Sequence, residues 1–462
     1  MVVLKFGGTS VADVVSIRRV AGIVASEPRR RAVVVSALAG VTDALLQLAA
    51  GGGTIPGTPP PRALDTLLRR HIAVVQMVRD RAARVALEHE LYAIAGHVAA
   101  MLEAAPGRLS PRSRDEVAAA GELWSSRLLA AVLADRGVPS AWIDARQVMR
   151  TNSHHGSAAP DLARTRDEVA RLVVPKISGG AVAVLGGFIG SDPSGVTTTL
   201  GRGGSDYSAA VFGACLDAEE IQIWTDVDGV LTAEPRVIPH ARPVAHLSYG
   251  EAHDLASFGA KVLHPGTIQP AVERGIRVLV RNSHRPAAPG TVVGLRDASA
   301  PAAPIAGVAC RTGATLIEAI AHDEGAGDGF VSRVFAALNH LGVEAVLADL
   351  CGSRLVLTVQ DLADVESVRL SLSKVAEVRV ATGLATVSVI GEGLAADPRL
   401  AVEAARALGP LPVHLVSRPP GGRTLAFVVD ATQISDAAGR LHDCFFGVAG
   451  RRPRPARPAV QA

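Results

Sequence analysis

Short apolar runs alternate with stretches of helical periodicity over the first two-thirds of the chain, and this rhythm most restricts its fold. Val2 to Phe6 reads as a strand, Ala12 to Ala25 as a helix and Ala32 to Ser36 as a second strand. Further strands are expected at Ala181 to Leu185, Glu220 to Trp224 and Arg277 to Arg281. Strands apolar on both faces and joined by helices belong to a parallel or mixed sheet covered on each side, an α/β fold. The Gly/Pro-rich stretch Gly51 to Pro61 is a loop, and Arg62 to Ala104 carries the periodicity of a helical hairpin. Residues 297 to 304 (DASAPAAP) read as a linker, after which the units shorten. Two successive βαββαβ-like stretches of roughly 70 residues follow, the second beginning near Thr386. The basic, Pro-rich end RRPRPARPAVQA is expected to be disordered.

Composition narrows the function. The charge balance, 47 basic against 44 acidic residues, is too even to advertise a nucleic-acid partner. No apolar run reaches the roughly 18 residues of a membrane span, and Lys5 with a Gly-Gly pair occupies the place of a signal peptide's apolar stretch. The four Cys are far apart, as in a reducing compartment, so a cytoplasmic protein is expected. Among the 47 basic residues only Lys5, Lys176, Lys261 and Lys374 are lysines. In so Arg-rich a chain, a retained Lys raises the question of a site that needs a compact ammonium.

Four motifs carry chemistry. KFGGTS (Lys5–Ser10) ends the first strand with a Gly pair that lets backbone N–H groups approach an anion, and Lys5 adds a charge suited to phosphate oxygens. TTTLGRGGSDYSA (Thr197–Ala209) surrounds Arg202 with Gly201, Gly203 and Gly204, an anion-binding loop that leads into Ser205 and Asp206 at a helix start. WTDVDGVLTAEPR (Trp224–Arg236) follows a strand with Thr225, Asp226 and Asp228, although the Asp228-Gly229 pair by itself reads as a capped turn. FGAKVLHP (Phe258–Pro265) offers Lys261 as a second phosphate contact. Three smaller features add to these. Ser36 and Thr42 supply hydroxyls after the second strand, and GELWS offers Glu122 either as a carboxylate for a substrate amine or as a helix cap. His154-His155 reads as loop, because adjacent side chains point apart and no acid is spaced to join them.

These motifs, with RTNSHHGSAAPD between them and in this order, resemble the aspartate kinases of the amino-acid kinase fold, most of all the monofunctional, lysine-sensitive type. The resemblance implies a three-layer αβα amino-acid kinase sandwich over residues 1–296. It further implies two ACT-like βαββαβ regulatory domains over 305–383 and 384–448, with the basic, Pro-rich tail over 449–462 expected from its composition to be disordered. The implied reaction moves the ATP γ-phosphoryl group to the β-carboxylate of L-aspartate, giving 4-phospho-L-aspartate, with Mg²⁺ arriving on the nucleotide. This is the first step toward lysine and diaminopimelate, threonine and methionine. Lys5, Asp206 and Lys261 take the catalytic positions. Ser36, Thr42, Glu122, Arg202 and Ser205 would bind substrate, and Lys5, Gly7, Gly8, Thr225, Asp226, Arg236 and Lys261 the nucleotide. Gly327, Gly329 and Phe330 would bind an amino-acid effector, and self-association into a homodimer or larger homo-oligomer through the ACT-like domains is expected.

The sequence departs from the family at Leu231, usually tyrosine, and at Glu234–Arg236, which reads EPR for DPR. Val346 stands where lysine-sensitive members carry an acid for the effector's amine. Two other readings are another amino-acid kinase, acting on glutamate, acetylglutamate or carbamate, and a non-catalytic ACT-bearing sensor. The first lacks the long helical insertion with paired ACT tail, and the second would have lost one of Lys5, Lys261, Arg202 or Asp206.

Overall fold

The computed structural model describes residues 1–51, 60–105, 107–260, 265–295, 303–322, 329–419 and 421–447. The chain divides into two compact units: Met1–Val230 with Ala245–Tyr249 and Leu263–Arg296, and Leu231–Val244 with Gly250–Val262 and Asp297–Ala462. The segments 231–244 and 250–262 thus leave the span 1–296 expected from the sequence and join the second unit.

The first unit runs β1 (Val2–Phe6), α1 (Val14–Ser26), β2 (Arg31–Val35), α2 (Val41–Ala49), α3 (Pro60–Val75), α4 (Arg81–Ala104), α5 (Pro111–Asp135), β3 (Ser140–Ile143), α6 (Leu162–Glu168) and α7 (Val174–Ser178). It continues with β4 (Val182–Gly186), β5 (Ile189–Ser191), β6 (Thr197–Thr199), α8 (Gly204–Cys215), β7 (Glu220–Thr225), β8 (His246–Leu247), α9 (Tyr249–Ser257, which passes into the second unit), α10 (Gln269–Glu273), β9 (Arg277–Asn282) and β10 (Thr291–Val293).

Eight strands form one sheet in the order β3-β4-β2-β1-β7-β9-β10-β8, parallel except where β10 meets β9. Alternation fixes its two faces. Val2, Leu4, Phe6, Val33, Val35, Val182 and Val184 point into one buried cluster with α1 and α5. α8 packs on β1, β2 and β7, and Gly213 makes room for it, since a Cβ there would lie 2.6 Å from Ile221. β1 sits where the chain turns from building toward β2 to building toward β7, and in such sheets ligands gather at the strand carboxyl ends beside this switch. α5 is long and apolar enough to cross a membrane, but 83% of its apolar stretch is buried inside the protein, so it serves here as a core helix.

The second unit carries β11 (Gly307–Ala321), α11 (Phe330–His340), β12 (Ala345–Cys351), β13 (Arg354–Gln360), α12 (Val365–Leu372), β14 (Ala376–Ile390), α13 (Gly393–Ala396), α14 (Pro398–Leu408), β15 (Leu415–Ser417), β16 (Thr424–Asp430) and α15 (Ile434–Phe446). Its strands form a single antiparallel sheet, β12-β13-β11-β14-β16-β15, over two apolar cores. The first core gathers β13 and the later half of β11 with α11 and α12; the second gathers β16 and the later half of β14 with α14 and α15. β11 and β14 run through both lobes. Gly307–Thr312 pairs with Ala385–Ile390 in the second lobe; beyond it Ala314 meets Leu384, and Leu316–Ala321 pairs with Ala376–Ala381 while β13 lies on the other side. The 383/384 division read from the sequence therefore falls inside one strand, and the second lobe takes its final strand from residues 307–312. A bulge at Gly313, with φ of +81°, lets β11 change partners without breaking. The tail 449–462 lies outside the described residues.

Candidate active site

A cavity of about 700 Å³ opens at the carboxyl ends of β1, β2 and β4. Lys5, only 8% exposed, reaches it from the end of β1. Its ammonium meets Asp206 Oδ1 at 2.6 Å, from the first turn of α8. Gly7 leaves open the space above that ammonium: a Cβ there would stand 3.6 Å from Nζ. Gly8 lies so close to Ala37 that a Cβ would come within 3.0 Å of its carbonyl oxygen.

Glu122 lies in the middle of α5, and the capping alternative for it is thereby excluded, since Ser110 caps that helix. Gly121 lets α5 approach the loop after β2, because a Cβ would meet Ala37 Cβ at 2.7 Å. Glu122 Oε1 accepts from Ala37 N–H at 3.1 Å and from the Thr42 hydroxyl at 3.4 Å, while Oε2 is buried without a hydrogen-bond partner. Burial pushes this carboxyl up to about 8, against which the Ala37 and Thr42 hydrogen bonds act. A buried carboxylate with one oxygen unspent is built to receive a cation.

Arg202 stands exposed on the loop between β6 and α8, with Gly201 and Gly203 left-handed on either side at φ of +75° and +71°. It lines the cavity and has no ion-pair partner among the described residues. Ser36, Thr42 and Ser205 line the same space, so the structure brings together Lys5, Gly8, Ser36, Thr42, Glu122, Arg202, Ser205 and Asp206.

Other expected residues fall elsewhere. Thr225 and Asp226, hydrogen-bonded to each other at 3.2 Å, end β7 outside the lining of this cavity. Asp228 is held by Asn282 at 2.8 Å and paired with Arg285, which makes it the capped turn of the plainer reading. Arg236 belongs to the second unit, where it is exposed and pairs with Glu234 at 3.0 Å. Lys261 and Gly327 lie outside the described residues. Gly329 caps α11 in a left-handed conformation, and Phe330 is 2% exposed in the first lobe's apolar core, so its ring is spent on packing.

Phe188, His155 and Asp115 are among the lining residues that the sequence reading did not assign to a site. Phe188 adopts φ of +66°, a strained conformation for an aromatic residue, held by its N–H donating to Ser208 Oγ at 2.9 Å. The reading of His154-His155 as plain loop needs correction at the second position: His155 lines the cavity, and its Nδ1 lies 2.9 Å from the buried carboxylate of Asp115. That acid is 40 positions away in sequence, beyond the reach of any spacing rule.

The chain has relatives over nearly its whole length. Residues 1–282 match the amino acid kinase family model. The lysine-sensitive aspartokinase 3 of Escherichia coli is 35% identical over 96% of this chain and 99% of its own length. The chloroplastic aspartokinase 1 of Arabidopsis thaliana is 30% identical over 96% of this chain and 80% of its own. The crystal structure of E. coli aspartokinase III with aspartate and ADP superposes with a TM-score of 0.84, covering 96% of this chain and all of that one. The same enzyme with lysine and aspartate gives 0.80 over 96% and 99%. Both structures are 35% identical to this chain. A strand-end lysine paired to aspartate, a buried acid with a spare oxygen and an arginine loop in one cavity thus sit in a chain related over nearly its whole length to these enzymes, and the chain belongs to the amino acid kinase family, among the aspartokinases.

Proposed function

We propose that this chain transfers the γ-phosphoryl group of ATP to the β-carboxylate of L-aspartate. The observation that carries the reading is Glu122 Oε2, buried and unpartnered in the cavity that also holds Arg202 and the Lys5–Asp206 pair. An ammonium placed against Glu122 restores its ionised form, and the exposed Arg202 fork takes a carboxylate. A second carboxylate on the same small molecule can then turn toward Lys5. Three charged groups of an amino dicarboxylic acid find three separate receptors.

The chemistry asks little more. A carboxylate acceptor is ionised at pH 7 and needs no general base. The protein must hold two anions in line and balance the charge of the moving phosphoryl group. Lys5 supplies that charge, and Asp206 fixes its direction. The Gly7 N–H is spent on the Trp224 carbonyl oxygen at 3.1 Å, which leaves the Gly8 backbone and the hydroxyls of Ser36 and Ser205 on the cavity wall to serve oxygens nearby. Thr225, Asp226 and Lys261 are assigned to the nucleotide on the family resemblance alone, and Arg236 with them.

Mg²⁺ fits as a passenger of ATP. Asp206, the nearest carboxylate to Lys5, is already paired, and the cavity's described residues offer no cluster of acids to hold the ion by themselves. When bound it screens the phosphate oxygens; Lys5, Arg202 and Glu122 do the orienting.

The second unit is read as the regulatory half, taking an amino-acid effector and joining copies of the chain. The twin-lobed sheet supports this, while Val346 argues for an effector other than lysine. The test is an assay of ADP release with aspartate, glutamate and their analogues, repeated with lysine and threonine. Turnover is expected with aspartate; its absence overturns the reading.

A further inference from the structure

We infer that His155 is a further specificity-determining contact, gripping the non-reacting α-carboxylate of the acceptor beside Arg202, and that Asp115 is the residue that positions both. The inference rests on the aspartate kinase reading above.

Asp115, on the first turns of α5, is 2% exposed. Its carboxylate accepts from the Thr199 hydroxyl at 2.6 Å, the Thr199 N–H at 3.2 Å and the Gly156 N–H at 3.1 Å, and it meets His155 Nδ1 at 2.9 Å. One buried charge therefore ties two loops together. One loop carries His155 and Gly156; the other runs from Thr199 into Arg202. They touch as backbone: a Cβ on Gly201 would lie 3.1 Å from the Gly156 carbonyl oxygen. Arg202 follows Gly201 and His155 precedes Gly156, and both side chains line the cavity.

The imidazole is arranged for a ligand. Its Nδ1 is committed to Asp115, which fixes the ring's orientation. Its Nε2 makes no hydrogen bond among the described residues and is not among the buried polar atoms, while the side chain keeps 16% exposure on the cavity wall. For Nε2 to donate to a substrate carboxylate while Nδ1 donates to Asp115, the ring must carry a proton on each nitrogen, the form that carboxylates on both sides favour. Glu122 occupies the ammonium's place, and Lys5 the reacting end. The α-carboxylate is the remaining charge; Arg202 and Arg114 are the guanidinium groups on the cavity wall, and His155 adds its free Nε2 beside the Arg202 loop.

The experiment compares wild type with His155→Phe, which keeps a ring and loses both nitrogens, and His155→Gln, which keeps an N–H donor. All are checked for cooperative melting. His155→Phe is expected to raise KM for aspartate about tenfold, with kcat and KM for ATP within twofold. His155→Gln should fall between the two. The competitive inhibition constant of the α-carboxamide of aspartate, which lacks the charge, should change less than twofold in His155→Phe. An unchanged KM for aspartate in both folded variants overturns the inference, and so does an equal loss for aspartate and the α-carboxamide. Wild type that neither turns over aspartate nor binds it by calorimetry overturns the functional reading, and this inference with it. Wild-type turnover with indifferent variants overturns this inference alone.

Discussion

The Lys5 ammonium and the Asp206 carboxylate lie 2.6 Å apart, joining the end of the central strand β1 to the first turn of α8. The pair is 10% and 18% exposed, so the ammonium is held in one direction by a partner that is itself fixed at a helix start. A guanidinium is longer, planar and forked, and would displace either the carboxylate or the phosphate it faces. Lys5→Arg is expected to lower kcat by about 100-fold in a steady-state ADP-release assay. Lys374→Arg, at an exposed position, should stay within twofold. Equal effects would refute the role of the ammonium.

Glu122 gives a pH signature. Its carboxyl is raised to about 8 from 4.5 by burial, so the native fold holds that proton more tightly than the unfolded chain does. The resulting stabilisation is complete below about pH 4.5 and is lost as pH rises through 8. Glu122→Gln cannot ionise. Its melting temperature, measured without substrate, should match wild type near pH 5 and exceed it by about 2–4 °C near pH 9. The same substitution should raise KM for aspartate by about 100-fold, since the substrate ammonium loses the carboxylate assigned to it. A melting difference independent of pH would count against the buried carboxylate.

Gly121 is a packing requirement with a functional price. A methyl group there meets Ala37 at 2.7 Å and pushes α5 off the loop whose N–H binds Glu122. Gly121→Ala is expected to cost about 1–3 kcal/mol in chemical denaturation and to weaken aspartate binding together with stability. Full stability in this variant would mean that the loop yields.

Removing the Asp115 carboxylate leaves the buried Thr199 donors unpaired and releases the Gly156 N–H of the neighbouring loop. Asp115→Ala should destabilise the chain by about 3 kcal/mol and raise KM for aspartate more than KM for ATP. Denaturant titration alongside kinetics separates the two losses.

Much of this was legible in the chain. The strands Val2–Phe6, Arg31–Val35 and Glu220–Thr225 announced themselves as β-branched runs, and glycine pairs marked the anion loops, because local periodicity and backbone freedom are written into neighbouring residues. Lys5, Arg202 and Asp206 were found because each sits within two residues of such a glycine. Asp115 with His155 was not, since their partnership exists only after α5 and the 152–159 loop have folded together. Phe188 was missed for a different reason: an aromatic residue gives no sign of a left-handed backbone, which Ser208 imposes from 20 positions away. The lobes of the second unit were legible, but the linear division at 383/384 falls inside β14, because the pairing of Gly307–Thr312 with Ala385–Ile390 joins segments far apart in sequence.

That shared strand has a consequence for how such a chain can change over generations. Because residues 307–312 complete the lobe built mostly from residues after 383, neither lobe is a self-sufficient cassette. Cutting or fusing at the apparent linear border would strip one lobe of its last ladder and expose a raw edge on the other. The pair is expected to be inherited, grafted or lost as a whole, and a truncation ending at 383 should yield insoluble material rather than a smaller regulator.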